Sequence, residues 1–330
     1  MSRLYALCVI ISGITNYDVL RNETVVLALG GNAIMSNSRT FESQYTTVYS
    51  ATKEIAKLAV EGYRIVITHG NGPQVGDTLL RHESAKKVVP PLPLFACVAE
   101  TQGLLGLMIQ ASLLDHLNRL GKRINVVSLI SKVRISPKDP AFKDPTKPIG
   151  PTYTKDESDA MVQADPSFTV KEITPSKYRR VAPSPDPISV LEVDAVKELV
   201  KRNYIVIAVG GGGIPVIDGK KISFADAVID KDLASERLAT GIKASKFVSL
   251  TDVDGVYVNY RSGNRGLLRK IKVSEMKKLL KKGEFEEGSM EPKVRASVRF
   301  VENTGHEAII ANLSKIREAL KGNSGTIIYR

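Results

Sequence analysis

The sequence predicts an α/β fold: a mainly parallel sheet covered on both faces by helices. Two patterns carry that expectation. Short, almost wholly apolar β-favouring runs recur along the chain, and amphipathic helical stretches alternate with them. The runs are TVVLAL (24–29), RIVITH (64–69), INVVSLI (124–130), YIVIAV (204–209) and KFVSLT (246–251), with AIIANL and TIIYR adding strands near the C-terminus. A strand apolar on both sides needs cover on both sides, which an alternating chain supplies. Ile55, Leu58 and Ala59 share one helical face, as do Met276, Leu279 and Leu280, and again Val294, Val298 and Val301.

One segment breaks this rhythm. Between Val133 and Pro187 lie nine prolines, many charges and few apolar repeats. A stretch that long inside a compact domain is a functional excursion or a small subdomain. It is read here as a protruding unit over about residues 133–184, set in a main domain spanning 24–330.

The chain has 330 residues, 43% hydrophobic and 25% charged, which is enough to bury a large core and argues against disorder. No apolar run near 20 residues stands out, so no membrane span is expected. LYALCVIISGI (4–14) fits the apolar part of a secretory signal, but no small-residue cleavage site follows it. Residues 1–23 are therefore read as a dispensable extension. Cys8 and Cys97 are far apart, and with only four histidines the spacing suggests neither a disulfide nor a structural zinc. A cytoplasmic protein is expected. The net charge of +12 comes from scattered lysines and from groups such as KKLLKK (277–282), with no interleaved aromatics. That pattern favours a solvated basic surface, or an anionic small substrate, over nucleic acid.

Three strands end in glycine-rich turns: LGGNA (29–33), HGNGPQVG (69–76) and GGGGIP (210–215). In a parallel sheet the strand C-termini share one edge, where ligands usually bind. Bare backbone amides there, followed by helix N-termini, suit a multiply charged anion. On this reading Gly211, Gly212 and Gly213 let phosphate oxygens reach the main chain. No loop reads G-x-x-x-x-G-K-[ST] and none reads G-x-G-x-x-G, so the two common nucleotide fingerprints are absent.

Lysines to neutralise phosphate must then come from elsewhere. Lys231 lies between Asp230 and Asp232 just before a helix, Lys293 follows a Gly-Ser-Met-x-Pro turn, and Lys147 precedes Pro148 in the excursion. Each sits in a stiff turn at an element boundary. Asp252 and Asp254 in LTDVDGVY close a turn or bind metal, with the turn preferred. His69 is expected to brace its glycine loop through a hydrogen bond, not to act as a base.

Together, ALGGNA, THGNGPQVG, TQGLLGLMIQ, KDPAFKDPTKPIGP, APSPDP, AVGGGGIPV, AVIDKDLASERLA, LTDVDGVY and GSMEPKVRASVRF resemble the carbamate kinase family of the amino-acid kinase superfamily. The matching stretches run in family order from about residue 24 to 328. KPIGP and the pairing of DKDLA with GSMxPK are the specific parts. The chain departs from the family at GLLGLM, where an aromatic-rich segment is common. The resemblance implies a three-layer αβα sandwich on an open sheet of eight strands, with a protruding lid. It implies a homodimer that transfers phosphoryl between ATP and carbamate with Mg2+, giving ADP and carbamoyl phosphate. By position, Gly30, Gly31, Asn32, Gly70, Asn71 and Gly72 would hold carbamate. Thr251, Asp252, Val253, Tyr257 and Met290 would hold the nucleotide. Lys147, Lys231 and Lys293 match the functional lysines and Asp232 the orienting aspartate, while protein ligands for the metal stay unassigned. Another amino-acid kinase with a larger acceptor, or a non-catalytic anion sensor, are the rival readings. The direction of flux, towards ATP in arginine breakdown or towards carbamoyl phosphate, is left open.

Overall fold

The computed structural model describes residues 23–330 apart from 36–37, 166–167, 220 and 260–264. The extension expected at 1–23 lies outside the described residues up to position 22. The central sheet has eight strands: β1 Thr24–Leu29, β2 Arg64–His69, β3 Val126–Ser128, β4 Ile205–Ile207, β5 Lys246–Thr251, β6 Lys270–Lys272, β7 Ala308–Asn312 and β8 Thr326–Tyr329. Their spatial order is β6-β8-β7-β5-β1-β2-β4-β3. Every neighbouring pair is parallel except β7 with β8. The helices, in chain order, are α1 Phe41–Val60, α2 Gly72–Ala85, α3 Leu94–Arg119, α4 Lys155–Ala164, α5 Val193–Lys201, α6 Lys231–Gly241, α7 Val273–Lys281, α8 Met290–Thr304 and α9 Ile316–Leu320.

The period-two alternation of β1 shows why the sheet needs two covers. Val25, Leu27 and Leu29 enter one core with Ile55 and Leu58 of α1, Leu105 and Leu113 of α3, and Ile316 of α9. Val26 and Ala28 enter the other with Val196 of α5, Leu238 of α6, Met276 of α7, and Val294 and Val298 of α8. Burying a large aliphatic side chain contributes about 1.5–3 kcal/mol, so both faces must be covered for such a strand to be stable. The result is a three-layer αβα sandwich.

Two features modify the reading from sequence. The apolar runs at 124–130 and 204–209 contribute only three ladder residues each, and the second ends where the chain turns at Val209, whose φ is 54°. Secondly, α3 is a 26-residue helix with a window of mean hydropathy 1.4, long and apolar enough to cross a membrane by length and composition. This corrects the statement that no such run exists. Its hydrophobicity has a packing cause, since Leu105, Met108, Ile109, Leu113 and Leu117 fill the core beneath α1.

The proline-rich excursion is ordered over most of its length. The strand Lys132–Arg134 pairs antiparallel with Ser189–Val190, through Val133 opposite Val190, so the chain leaves and rejoins the body at one place. Between these points Lys147–Tyr153, Lys177–Ala182 and Val170–Thr174 form a separate three-stranded sheet with α4 beside it. A capping box at Thr154 and Glu157 fixes the start of α4. The sheet's first strand packs on α2, which places Lys147 over the edge where the strands of the main sheet end.

Candidate active site

The C-terminal ends of β5, β1 and β2 open into a cleft of about 1010 Å³. Its walls include Gly30, Gly31, Gly70, Asn71, Gly72, Thr251 and Asp252 from the strand-end turns. Three helices start at its margin: α2 at Gly72, α6 at Lys231 and α8 just after Ser289. A helix N-terminus carries unsatisfied N–H groups and roughly half a positive charge, so three of them favour an anion.

Asp232 is the centre of the polar floor. Its Oδ1 accepts from Lys231 Nζ at 2.8 Å and from Ser249 Oγ at 2.7 Å, and its Oδ2 accepts from Lys293 Nζ at 3.0 Å. Asp230 caps α6 through Oδ1, accepting from the Asp232 amide at 2.9 Å, and its Oδ2 meets Lys147 Nζ at 3.4 Å. On this floor three ammonium groups face two carboxylates, a local surplus of one positive charge, while Lys53, Glu54 and Asp252 elsewhere on the wall balance the lining as a whole. That surplus is what an anionic ligand would meet.

Burial sets the protonation states. It pushes Lys231 down to about 8; Asp232 pulls it back up, and the Lys293 charge pushes it down further. For Asp232 burial disfavours the charged form, yet the two ammonium groups and the Ser249 hydroxyl outweigh it and hold the carboxyl well below its ordinary range. Lys293 is also penalised by burial, but the Asp232 charge and hydrogen bond raise it overall. Of the two lysines, Lys231 is thus the one poised near neutrality. His69 is pushed down to about 4, chiefly by burial, and its Nδ1 lies 2.8 Å from the Gly70 carbonyl. At neutral pH that imidazole is uncharged, with Nδ1–H donating to the carbonyl. It braces the loop, as the sequence suggested.

The tetraglycine turn has a different cause from the one expected. A Cβ on Gly210 would sit 2.6 Å from His69 Nε2, and one on Gly211 would overlap the Asn71 amide. One on Gly212 would overlap the Ile229 carbonyl, and one on Gly213 the Val133 side chain. Protein atoms, not a ligand, fill that space. Gly211 lines the cleft, whereas Gly212 and Gly213 are buried behind it and do not. Their φ values of 89° and 86° add a second reason for glycine. In the first loop, a Cβ on Gly30 would come 2.8 Å from the Leu250 carbonyl oxygen, so β1 and β5 can close only over glycine there.

The backbone of Asn32 lies in a short 3-10 turn over Gly31–Ala33, and its side chain lies outside the described residues. Val253, Tyr257 and Met290 are partly buried and stand outside the cleft wall, with Met290 packed on the core below α8. Asp254 pairs with Lys315 at 2.8 Å and the Asp252 carbonyl accepts from Asn312 Nδ2 at 2.8 Å, which are the contacts of a closed turn. The reading from residues missed three supports. Ser249 holds Asp232, Asp230 caps α6, and Thr101 accepts from Asn71 Nδ2 at 2.8 Å. Two left a signal. A lone serine in the apolar run KFVSLT needs a buried partner, and an Asp ahead of KDLASERLA is a helix cap.

Fold and site together define an αβα enzyme that handles phosphate on the bare edge of a parallel sheet, and the sequence profile of the amino acid kinase family matches residues 23–312. A carbamate kinase of Pyrococcus furiosus is 43% identical over 308 residues, covering 92% of this chain and 98% of its own. One of Trichomonas vaginalis is 43% identical over 310 residues, with the same coverage. The solved structure of Giardia lamblia carbamate kinase bound to AMP-PNP superposes with a TM-score of 0.89 at 39% identity, over 93% of this chain and 98% of that one. The chain belongs to the carbamate kinase family.

Gly212→Ala should lose about 2–5 kcal/mol of stability, from the left-handed backbone plus the clash with a carbonyl that cannot move. Gly72→Ala, with nothing within 4 Å of the added carbon, should unfold in urea almost as the parent does.

Proposed function

We propose that the chain transfers a phosphoryl group reversibly between ATP and carbamate, giving ADP and carbamoyl phosphate. The single observation that carries this reading is Asp232 holding the Lys231 and Lys293 ammonium groups at 2.8 and 3.0 Å on the floor of the cleft. Phosphoryl transfer asks mainly for positioning and charge neutralisation. Two unit charges ~4 Å apart repel by about 4 kcal/mol at an effective dielectric of ~20, and a fixed pair of ammonium groups offsets that.

Carbamate is an anionic oxygen nucleophile and needs no general base. Its oxygen attacks the γ-phosphorus as the bond to the β-phosphate oxygen breaks, and ADP leaves. His69, neutral and turned into the Gly210 loop, takes no part in proton transfer. Lys231 contacts the transferring group and Lys293 the nucleotide phosphates, with Asp232 positioning both. Gly30, Gly31, Asn32, Gly70, Asn71 and Gly72 orient carbamate. Thr251 and Asp252 hold the nucleotide, whose phosphates reach Gly211, while Val253, Tyr257 and Met290, outside the cleft wall, support those turns from behind. Mg2+ enters as part of the nucleotide substrate and supplies further neutralisation. The Asp232 and Asp230 carboxylates are already committed to ammonium groups and to the α6 cap, so phosphate oxygens would carry most of the ion's coordination.

The three-stranded sheet acts as a lid, with the Lys147–Asp230 contact at 3.4 Å as its latch. The same reading includes a homodimer and a cytoplasmic setting. Leu104, Leu107 and Leu114 stay exposed on α3, and Cys97 carries a free thiol. Carbamate as acceptor is tested by ATP formation from ADP and carbamoyl phosphate. Turnover with acetylglutamate or aspartate in its place would transfer the activity to another acceptor.

Two predictions follow from the lysines. Because kcat/KM reports groups of the free enzyme, it should fall as pH rises through about 8, where Lys231 loses its proton. Bound phosphate favours the ammonium, so the same limb in kcat should lie at higher pH. Lys231→Arg, which stays charged, should lose the limb, and Lys231→Ala should lower kcat by about 10²–10³ with ADP affinity little changed. Lys147→Ala should raise the KM for carbamoyl phosphate more than it weakens ADP binding, checked by steady-state kinetics alongside ADP titration.

A further inference from the structure

A second cluster of chemically capable side chains lies away from the cleft. His82 projects from the last part of α2, and Cys97 and Glu100 from the first two turns of α3. One imidazole nitrogen, the Cys97 sulfur and one Glu100 carboxylate oxygen all lie within 4.8 Å of one another. His82 Nε2 and Glu100 Oε2 are already 3.2 Å apart. A tetrahedral ion with nitrogen and oxygen ligands at ~2.0 Å and sulfur at ~2.3 Å spaces its donors by about 3.3–3.5 Å. Two of the three donors therefore stand at ligand spacing, and the Cys97 sulfur, whose thiol points to the Leu92 carbonyl oxygen at 3.8 Å, lies within 4.8 Å of both.

The surroundings favour a cation. Cys97 is fully buried, whereas the His82 and Glu100 side chains are 24% and 47% exposed, so an ion could enter from their side. His82 also borders a separate cavity of about 300 Å³ whose wall carries Glu83, Asp165 and Asp226 against one base, Arg180. A thiol that coordinates a divalent ion gives up its proton.

We infer that His82, Cys97 and Glu100 form a binding site for a borderline-soft divalent transition ion of the zinc type, clamping α2 to α3. Nitrogen, sulfur and oxygen donors together suit Zn2+ or Co2+ and not Mg2+, which takes oxygen ligands. Three protein ligands leave a fourth position for water on the cavity side. One thiol proton is released on binding, and no redox step is involved. The site is independent of the phosphoryl-transfer cleft, and its test does not read activity.

The experiment is titration of the untagged, chelator-treated full chain with Co2+, followed by visible and near-ultraviolet absorption, and competition with Zn2+. One equivalent should produce tetrahedral d–d bands and a thiolate-to-cobalt charge-transfer band, both displaced by Zn2+. Cys97→Ser should lose the charge-transfer band, while Cys8→Ser, at the chain's other cysteine, should keep it. His82→Gln and the solvent-exposed Glu100→Gln should each weaken binding at least about tenfold while leaving the circular dichroism spectrum unchanged. No charge-transfer band at one equivalent, a band surviving in Cys97→Ser, or unaltered affinity in both His82→Gln and Glu100→Gln would overturn the assignment.

Discussion

One carboxylate shared by two ammonium groups is the constraint on which the rest of the site depends. Asp232, Lys231 and Lys293 are all nearly buried, with side chains 5%, 12% and 13% exposed. An unpaired charge at that depth would shift its pKa and neutralise itself. Asp232 lets the two lysines stay cationic where water is scarce. It cannot cancel both, so the ammonium groups keep a local excess of positive charge around this carboxylate. Ser249, from the strand beneath, fixes the carboxylate in turn.

The fold delivers this arrangement by construction. Lys231 opens α6 and Lys293 lies in the first turn of α8, two helices that pack side by side on one face of the sheet. Their N-termini therefore reach the same sheet edge, and two residues distant in sequence converge on Asp232. The neighbouring turns contribute bare amides because they must also pass each other closely. Gly30 touches the end of β5, and Gly210 and Gly211 touch His69 and Asn71. Glycine here serves the packing of loop on loop as much as any ligand.

Much of this was legible in the residues. Strand runs such as TVVLAL and the helical faces of Ile55 and Val294 report directly on which side chains meet water, and that is local information. The lysines stood out because each sat at an element boundary, and the resemblance then gave them order. What could not be read is what depends on three-dimensional approach. No pattern in GGGG reveals that the collisions are with His69, Asn71, Ile229 and Val133. The apolar length of α3 was passed over because its small and polar residues interrupt the run. His82, Cys97 and Glu100 come from two helices joined by a proline-rich turn, so their spacing matches no metal motif, and the sequence argued against a zinc site.

The most direct measurement is an NMR titration of the side-chain nitrogens of Lys231 and Lys293 in the ligand-free parent protein and in Asp232→Asn. If the shared carboxylate sustains both charges, removing it should lower the pKa of both lysines, with Lys231 becoming neutral well below pH 8. Two titration curves unmoved by the substitution would contradict the account.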